Sequence, residues 1–319
     1  MQLPPSLRAA IEQELDGIAL GDLARAADAL SQRYRAEVQD GRLHLADDMA
    51  ARAYLTTRLP ATFAAISAAL AAVAQARPGF APRTLLDAGA GPGTATWAAA
   101  QLWDRIEEAT LVEASPAIRA VGERLGSPLP RASWIAGGLD EAIASLPASD
   151  LVLLAYVLDE LPAAARIPLV ERLWTLTGDT LLIVEPGTPA GWRRILVARD
   201  RLIQAGAHIL APCPHARACP LAAPDWCHFS ARVARSRLHR EAKGGTVPWE
   251  DEKFIYVAAS RRAGAGSTAR IIAPPQSSKF AITLKLCEPD GGAVERSFEK
   301  RSGAAFKQAR KLGWGDALP

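Results

Sequence analysis

Short apolar runs alternate with helical stretches between residues 83 and 187, and this alternation constrains the fold more than any other feature. The runs are "TLLDAGAG", "ATLVEAS", "ASWIAGG", "SDLVLLAYVLDEL" and "DTLLIVEPG". The stretches between them, such as "TATWAAAQLW", space their apolar residues three or four apart. Strands that are apolar throughout and alternate with helices are typical of a parallel sheet covered on both faces. The sequence therefore predicts an α/β fold.

The flanking segments have other patterns. Helical spacing predicts helices in "SLRAAIEQEL", "LGDLARAADALSQRYRAEV" and "PATFAAISAALAAVAQA". The segments "FSARVARSRLHR" and "KFIYVAASRR" are expected to close the sheet as a strand pair, and strands around "EPDGG" predict a C-terminal β-unit that ends in helical "AAFKQARKLGW". We therefore expect an N-terminal helical region (1–79), a core (80–262) with a cysteine loop (211–228), and a β-unit (263–319).

The composition is that of an ordinary globular protein, with 49% hydrophobic and 22% charged residues. Five acidic residues among the first thirty argue against a secretory signal or a transit peptide. The apolar run from Phe63 to Ala74 is shorter than the roughly 20 residues that cross a bilayer. These features predict a cytoplasmic protein with no membrane partner.

The charge is unevenly distributed along the chain. Residues 228–319 contain 17 Lys and Arg against 9 Asp and Glu, a net charge of +8. The remaining residues contain 20 and 25, a net charge of −5, so the whole chain is at +3. A basic C-terminal third is consistent with a polyanionic partner, although a merely solvated basic surface would have the same composition.

The stretch "LLDAGAGPGTAT" has the features of a ligand-binding turn. Gly89, Gly91 and Gly93 come directly after a predicted strand and directly before a predicted helix. Glycines allow a sharp turn and a close approach of the backbone to a ligand, and a helix offers its first N–H groups. Asp87 precedes the glycines, and Glu113 ends the next strand, where an acid typically accepts ribose hydroxyls. Two cofactors fit this pattern: a dinucleotide and S-adenosylmethionine.

The G-x-G-x-G spacing and the acid in the first strand resemble class I S-adenosylmethionine-dependent methyltransferases. That resemblance implies a Rossmann-like core in which Asp87 contacts the amino-acid part of the cofactor and Glu113 its ribose. It also implies that "GGLDEA" places Leu139 and Asp140 beside the adenine. The three glycines would form the cofactor loop.

The residues do not identify a catalytic base. The (Asp/Asn)-Pro-Pro-aromatic tetrad of amino-directed nucleic-acid methyltransferases is absent, because the position after the fourth strand reads "LAYVLDELP". Asp159 and Glu160 lie there and could transfer a proton, or they could be solvated or helix-capping charges. Methyl transfer therefore stays open at this point.

Three of the four cysteines lie within "CPHARACPLAAPDWCHF" as Cys213, Cys219 and Cys227, and Cys287 follows alone. Thiolates suit soft metals, so zinc and an iron–sulfur cluster are both candidates, with Cys287 as the fourth ligand. The spacing C-x5-C-x7-C matches neither a zinc ribbon nor a radical S-adenosylmethionine enzyme. His215 and His228 are candidate replacement ligands, and free thiols around a buried Cys287 are the alternative without a metal.

The segments "APCPHARACP", "WCHFSARVARSRLHR", "EDEKFIYVAAS", "RAYLTTRLPATFAAI" and "ARKLGWGD" resemble the methyltransferase-like assembly-factor family of the mitochondrial ribosomal small subunit and its bacterial relatives. The resemblance covers nearly the whole chain. It implies a class I methyltransferase fold, a [4Fe-4S] cluster on the four cysteines, contact with small-subunit ribosomal RNA, and a mitochondrial matrix location for eukaryotic relatives. Three functions are carried forward: a ribosomal RNA methyltransferase, a non-catalytic assembly factor, and a zinc-stabilised small-molecule methyltransferase.

Overall fold

The computed structural model describes residues 2–35, 45–243, 245–266 and 268–318. Its central element is a mixed sheet. The parallel strands of this sheet are β1 (Thr84–Ala88), β2 (Glu108–Glu113), β3 (Arg131–Ala136), β4 (Ser149–Ala155) and β5 (Thr177–Pro186). Three more strands complete it: β6 (His208–Ala211), β7 (Phe229–Ala234) and β8 (Trp249–Ser260). Strand β8 runs antiparallel to β5, and β6 and β7 both pair antiparallel with β8.

Helices precede the sheet and connect its strands. The N-terminal helices are α1 (Pro5–Glu14), α2 (Leu20–Arg35), α3 (Asp48–Thr57) and α4 (Leu59–Ala76). The helices within the core are α5 (Thr94–Ala100), α6 (Pro116–Leu125), α7 (Leu139–Ala142), α8 (Ala163–Thr175), α9 (Pro189–Gln204) and α10 (Arg237–Ala242). Both α6 and α9 begin with a proline after a capping hydroxyl, since Ser115 and Thr188 accept hydrogen bonds from the N–H groups of Ile118 and Gly191.

The strand order is β3-β2-β1-β4-β5-β8-β6. Strands β2 and β3 are added on one side of β1, and β4 and β5 on the other, so the strand order reverses between the parallel neighbours β1 and β4. Strand β8 runs antiparallel to β5. A Rossmann-like half with one reversed strand before the last is the arrangement of class I S-adenosylmethionine-dependent methyltransferases, which is the predicted fold class. In open sheets of this kind, ligands bind outside the carboxyl ends of the strands at the reversal point.

The cysteine loop leaves from one edge of this sheet. β6 pairs with the C-terminal part of β8, and β7 pairs with its N-terminal part. Phe254 pairs with β5 on one side and with β7 on the other, so β6 and β7 follow one another along the same edge of β8. Residues 212–228, which include three cysteines, therefore form a loop that connects two strands paired with the same edge of β8.

A second, smaller sheet forms the C-terminal unit. Its strands are β9 (Ala269–Ile271), β10 (Gln276–Ser277), β11 (Ala281–Cys287), β12 (Ala293–Glu299) and β13 (Ala317–Leu318). A 3₁₀ turn (Lys300–Ser302) and helix α11 (Ala304–Ala309) follow β12. The unit has a small core of its own, made by Ala269, Ile271, Ile282, Leu284, Leu286 and Ala309.

The N-terminal helices share one apolar core with the large sheet, a core that runs from Leu7 on α1 to Ala259 on β8. Helix α4 is long and apolar enough, by length and composition, to cross a membrane. However, 61% of it is buried inside the protein, where it packs against β7 and β8. Burial of this extent is that of a core helix.

Several element predictions failed. Helices α3 and α7 and the short strands β6 and β13 were not predicted. The "RLHR" part of the expected closing strand forms helix α10 instead, because Ser236 accepts a hydrogen bond from the His239 N–H at 3.1 Å and starts a helix there. The last residues of the second predicted helix, 36–38, lie outside the described residues.

Candidate functional site

A cavity of about 880 Å³ lies at the carboxyl ends of the parallel strands. Residues that follow each of the five strands line it, together with side chains from the N-terminal helices and from β8. Six of the seven residues predicted to bind a cofactor line this cavity: Asp87, Gly89, Gly91, Glu113, Leu139 and Asp140. Gly93, the seventh, does not line the cavity.

The three glycines of the loop have positive φ angles of 72°, 55° and 82°, a region that favours glycine. They differ in their surroundings. A Cβ on Gly89 would lie 2.5 Å from Val157, and one on Gly93 would lie 3.3 Å from Leu111. A Cβ on Gly91 would meet no atom within 4 Å, so Gly91 is the glycine whose backbone faces open space in the cavity.

Asp87 is the most buried acid in the cavity wall, with 1% of its surface exposed. Its Oδ2 accepts hydrogen bonds from the backbone N–H (3.1 Å) and the hydroxyl (2.8 Å) of Thr96. Burial raises the pKa of Asp87 to about 6, although the two Thr96 donors oppose the rise. The carboxyl group is therefore mostly ionised at pH 7 and is held by the first helix after the loop.

Glu113 connects the glycine loop to β2. Its Oε2 accepts the Gly91 N–H at 2.8 Å, and its Oε1 accepts the Ser115 N–H at 2.7 Å. Burial raises the pKa of Glu113, and these backbone donors oppose the rise. Glu113 thereby fixes the Gly91 backbone beside the cavity, and its carboxylate retains lone pairs for a ligand.

The segment after β4 is held in an unusual conformation. Tyr156 has a φ of 59°, a left-handed value that is costly for a side chain with a Cβ. Its N–H donates to the Val184 carbonyl at 2.8 Å, and its hydroxyl donates to Glu252 at 3.1 Å. The following Leu158 N–H donates to Glu185 at 3.0 Å, and Glu185 forms a buried ion pair with Arg194. Strand β5 and β8 therefore hold this segment in place.

Asp159 and Glu160, the sequence candidates for proton transfer, both line the cavity. Burial, reinforced by the neighbouring Asp159 charge, raises the pKa of Glu160 to about 8. A carboxyl group with this pKa is mostly protonated at pH 7 and can donate a hydrogen bond.

Acidic side chains dominate the cavity wall. Among the described lining residues, eight are acidic and two, Arg58 and Lys253, are basic; the acids are Asp87, Glu113, Asp140, Glu141, Asp159, Glu160, Asp251 and Glu252. Several of these come from segments distant in sequence, so the sequence pattern around the glycines could not identify them. The same is true of Tyr34 and Tyr54, which reach the cavity from the N-terminal helices.

A second, narrow cavity of about 30 Å³ is lined by all four cysteines. Three come from the loop between β6 and β7, and Cys287 comes from the end of β11 in the small sheet. His215 also lines this cavity, with its Nε2 3.4 Å from the Cys287 sulfur. His228 does not line it; its ring instead stacks on Trp226 and meets the Trp314 ring edge-on.

The thiols in this cavity are strongly desolvated. Burial raises the pKa of Cys213, raises that of Cys227 well above its ordinary value, and raises that of Cys287 to about 12; the neighbouring thiols add to the rise at Cys227 and Cys287. Within residues 2–35, 45–243, 245–266 and 268–318, no three histidine, cysteine, aspartate or glutamate side chains are arranged to hold a metal ion. The four thiols nonetheless line one cavity.

Two buried arginines hold the cysteine loop. Arg199 is almost fully buried and donates to the carbonyls of His215 (2.8 Å) and Arg217 (2.7 Å). Arg270 donates to the Pro212 carbonyl at 3.1 Å and to the Gly315 carbonyl at 2.9 Å. The Arg199 guanidinium also pairs with Asp200 at 2.9 Å. Beside Cys213 its charge opposes the rise that burial causes in the pKa of that thiol, so it favours the thiolate there.

Comparison with protein families identifies the chain. The family model described as "Mitochondrial small ribosomal subunit Rsm22" matches residues 48–319. The chain belongs to the Rsm22 family.

Two curated relatives of this Rsm22-family chain share most of it. The human "Ribosome assembly protein METTL17, mitochondrial" is 32% identical over 288 residues, which cover 83% of this chain and 62% of the human protein. The "Rsm22-cox11 tandem protein 2, mitochondrial" of Schizosaccharomyces pombe is 25% identical over 289 residues, which cover 74% of this chain and 38% of the yeast protein. The chain thus spans less than two thirds of the length of either relative.

Solved structures of methyltransferases resemble the core at low sequence identity. Magnesium protoporphyrin IX methyltransferase from Synechocystis PCC 6803 has a TM-score of 0.41 and 14% identity, over 73% of this chain and 94% of that one. Precorrin-6y C5,15-methyltransferase from Geobacter metallireducens has a TM-score of 0.40 and 12% identity, over 61% and 87%. The fold assignment rests on the strand order and not on these superpositions.

Proposed function

We propose that this Rsm22-family chain binds S-adenosylmethionine in the acidic cavity and acts in the assembly of the ribosomal small subunit. The observation that carries the cofactor part of the proposal is the acidic character of the cavity wall. Eight acids, of which Glu160 is mostly protonated at pH 7, outnumber two basic side chains there. S-adenosylmethionine carries a positive sulfonium and a positive amino group, so this wall attracts it.

The same charge argues against a dinucleotide. A pyrophosphate needs a helix N-terminus free of nearby negative charge, whereas here Glu113 accepts the Gly91 N–H and Asp87 accepts the Thr96 N–H. Two of the N–H groups that would hold a phosphate are thus bonded to carboxylates. Charge and hydrogen bonding together favour the cationic cofactor.

Each predicted cofactor residue has a position consistent with its expected role. Asp87 would contact the amino-acid part of the cofactor and Glu113 the ribose, while Leu139 and Asp140, in the first turn of α7, would lie beside the adenine. Gly91 leaves room for the ligand, and Gly89 and Gly93 shape the loop. When bound, S-adenosylmethionine supplies an electrophilic methyl group.

The cysteine cavity suits a metal–thiolate centre, and we propose a [4Fe-4S] cluster held by Cys213, Cys219, Cys227 and Cys287. Four thiols line one cavity, and the buried Arg199 charge beside them fits the net negative charge of a four-thiolate site. A metal cation would also deprotonate thiols whose pKa burial has raised. Zinc on three cysteines and His215 is the alternative, since His215 lines the cavity and His228 does not.

The ribosomal part of the proposal rests on the family and on the human relative. The description of the family names the mitochondrial small ribosomal subunit, and the name of the human protein calls it a ribosome assembly protein. The net charge of +8 in residues 228–319 is consistent with contact to ribosomal RNA. We also propose that this chain is cytoplasmic. The boundaries of its three regions, after residues 79 and 262, are part of the same proposal.

Two measurements test this function. Calorimetry should detect S-adenosylmethionine binding to the wild-type chain, and the chain should co-sediment with small subunits or their precursors in a salt-sensitive manner. A chain that binds no S-adenosylmethionine contradicts the cofactor assignment. A chain that does not co-sediment with small subunits at any salt concentration contradicts the assembly role.

Methyl transfer to ribosomal RNA is a second candidate, favoured by the strained Tyr156 and the protonated Glu160 at the position where this fold class carries out its chemistry. Comparing the methylated nucleotides of small-subunit RNA from cells with and without the protein tests it. Loss of one methyl group without the protein supports an enzyme, and an unchanged methylation profile rules that role out.

Metal analysis tests the cluster. Protein purified without oxygen should be brown and contain about four iron and four sulfide per chain. Cys287→Ser should lower the iron content, because it removes one of the four proposed ligands. Colourless protein with one zinc per chain, and unchanged zinc in Cys287→Ser, would assign the site to zinc and three loop cysteines with His215.

A further inference from the structure

The most exposed large apolar side chain among the described residues is an aromatic ring in the C-terminal unit. Phe280 is 69% exposed. It directly precedes β11 and lies where the small sheet ends. The core of that unit is formed by other residues, including Ile282, Leu284 and Leu286, so the Phe280 ring is not needed to complete it.

The backbone beneath Phe280 is rigidly held. The Ser278 hydroxyl accepts hydrogen bonds from the N–H groups of Phe280 (3.2 Å) and Ala281 (2.9 Å). The Phe280 carbonyl accepts the Lys300 N–H at 2.7 Å, which extends the β11–β12 ladder by one pair. The ring is therefore presented on an ordered frame, and little conformational entropy is lost when a ligand contacts it.

Positive charges surround the ring. The Lys279 ammonium lies 5.6 Å from the ring centroid, and Lys300 lies directly across the ladder from Phe280. Arg301 follows Lys300 in the 3₁₀ turn and pairs with Glu299. Among the described residues, Lys279 and Lys300 form no ion pair, so both charges are available to an anionic partner.

We infer that Phe280, Lys279 and Lys300 form a stacking platform for single-stranded RNA. An exposed ring offers a face to an unpaired base, and the two lysines are placed for the adjoining phosphates. Lysine is depleted at the cores of protein–protein interfaces, so this composition favours a nucleic acid over a protein surface. The inference rests on the proposed function only in naming small-subunit RNA as the source of the strand.

The test uses the full-length, metal-loaded chain and a labelled 12-nucleotide RNA of mixed sequence, offered as a single strand and as a duplex. Fluorescence anisotropy should show tighter binding of the single strand. Phe280→Ala should weaken single-strand binding at least about fivefold, since one stacked base carries that much affinity, while Phe280→Trp should preserve it. Phe280→Leu separates stacking from simple apolar contact and should bind as weakly as Phe280→Ala.

The lysines are tested through salt dependence. The double variant Lys279→Ala/Lys300→Ala should lower the slope of log affinity against log salt by about 1.4, which is the loss of two phosphate contacts to a single strand. Val294→Ala, an exposed apolar residue of the same unit, and Arg105→Ala, an exposed arginine of the core, are the matched controls and should bind like wild type.

The outcomes separate this platform from the proposed function. If wild type binds RNA and Phe280→Ala or Phe280→Leu binds equally well, the platform is wrong and the assembly role stands. If wild type binds neither RNA form but still co-sediments with small subunits, the platform is also wrong. If Phe280→Ala keeps oligonucleotide affinity but loses co-sedimentation, the ring contacts a ribosomal protein, which overturns the RNA assignment.

Discussion

At the scale of single residues, the affinity for S-adenosylmethionine should depend on pH through Asp87. Burial raises the pKa of Asp87 to about 6, so its carboxyl group is mostly protonated at pH 5 and mostly ionised at pH 7. The cofactor amino group stays protonated across this range. Calorimetry should therefore show about tenfold weaker binding at pH 5 than at pH 7. Asp87→Asn should bind weakly with little pH dependence between these values, and an equally steep pH dependence in that variant would assign the titration to another group.

The free energy of unfolding should fall as the pH rises, because of the raised pKa of Glu160. Its pKa is raised to about 8, so the folded state holds this proton more tightly than the unfolded state. The stabilising contribution is complete below the ordinary glutamate pKa and is lost as the pH rises through about 8. Denaturant unfolding of wild type at pH 6 and pH 8.5 should show lower stability at the higher pH. Glu160→Gln should lose part of that difference, and an undiminished difference would contradict the assignment.

Alanine substitutions at two glycines of the cofactor loop should distinguish an effect on cofactor binding from an effect on stability. Gly91→Ala should fold, at a cost of about 1 kcal/mol for its positive φ, because its new methyl group meets no protein atom within 4 Å. That methyl group lies in the ligand space, so cofactor binding should fall sharply. Gly89→Ala should instead lower the melting temperature more, because its methyl group would lie 2.5 Å from Val157. Thermal unfolding and calorimetry of both variants check this, and normal cofactor affinity in a folded Gly91→Ala would contradict the site.

At the scale of elements, the parallel strands were predictable because each contains a short apolar run between a helix and a turn. The glycine loop and its two acids were predictable for the same reason, since they occur within one strand–turn–helix unit. Helix α10 was not predictable as a helix, because "RLHR" continues a strand-like segment and only the Ser236 cap separates the two. Tyr156 and Glu252 meet across 96 residues of sequence, and no local pattern predicts such a contact.

The loop between β6 and β7 also supports the wall of the cofactor cavity. The Trp226 indole N–H donates to the Gly187 carbonyl at 3.0 Å, and Gly187 lines the cavity. Trp226→Phe removes this donor and should weaken S-adenosylmethionine binding about three- to tenfold, the worth of one hydrogen bond. The metal content should not change.

Trp314→Phe is the matched control for that experiment. The Trp314 ring packs edge-on against His228, but its indole N–H has no hydrogen-bond partner in the described part of the chain. The control should therefore bind the cofactor as wild type does. Equal affinities for wild type and Trp226→Phe would show that the loop does not support the cavity wall.

At the scale of the whole molecule, the fold class and the family were predicted correctly from the sequence. The way the cysteine loop joins the two sheets could not be predicted, because it depends on contacts between distant segments. Arg217 donates to the Asp290 carbonyl at 2.7 Å, Arg270 donates to the Pro212 carbonyl, and Asp225 pairs with Lys285. These contacts place Cys287 beside the three loop cysteines, a grouping that spacing alone left open.

A metal centre on these four cysteines should hold the C-terminal unit against the core, and its removal should free the linker between them. Residues 261–266 are exposed, and the Arg262 side chain offers a trypsin site there. Chelation of the metal, or Cys287→Ser, should speed cleavage after Arg262 several-fold. Either change removes the metal-mediated link between the unit and the core, so that only the weaker polar contacts remain. Ser297→Ala, an exposed change on β12, should cleave like wild type. If Cys287→Ser loses its metal and the cleavage rate stays the same, the polar contacts alone are enough to attach the unit.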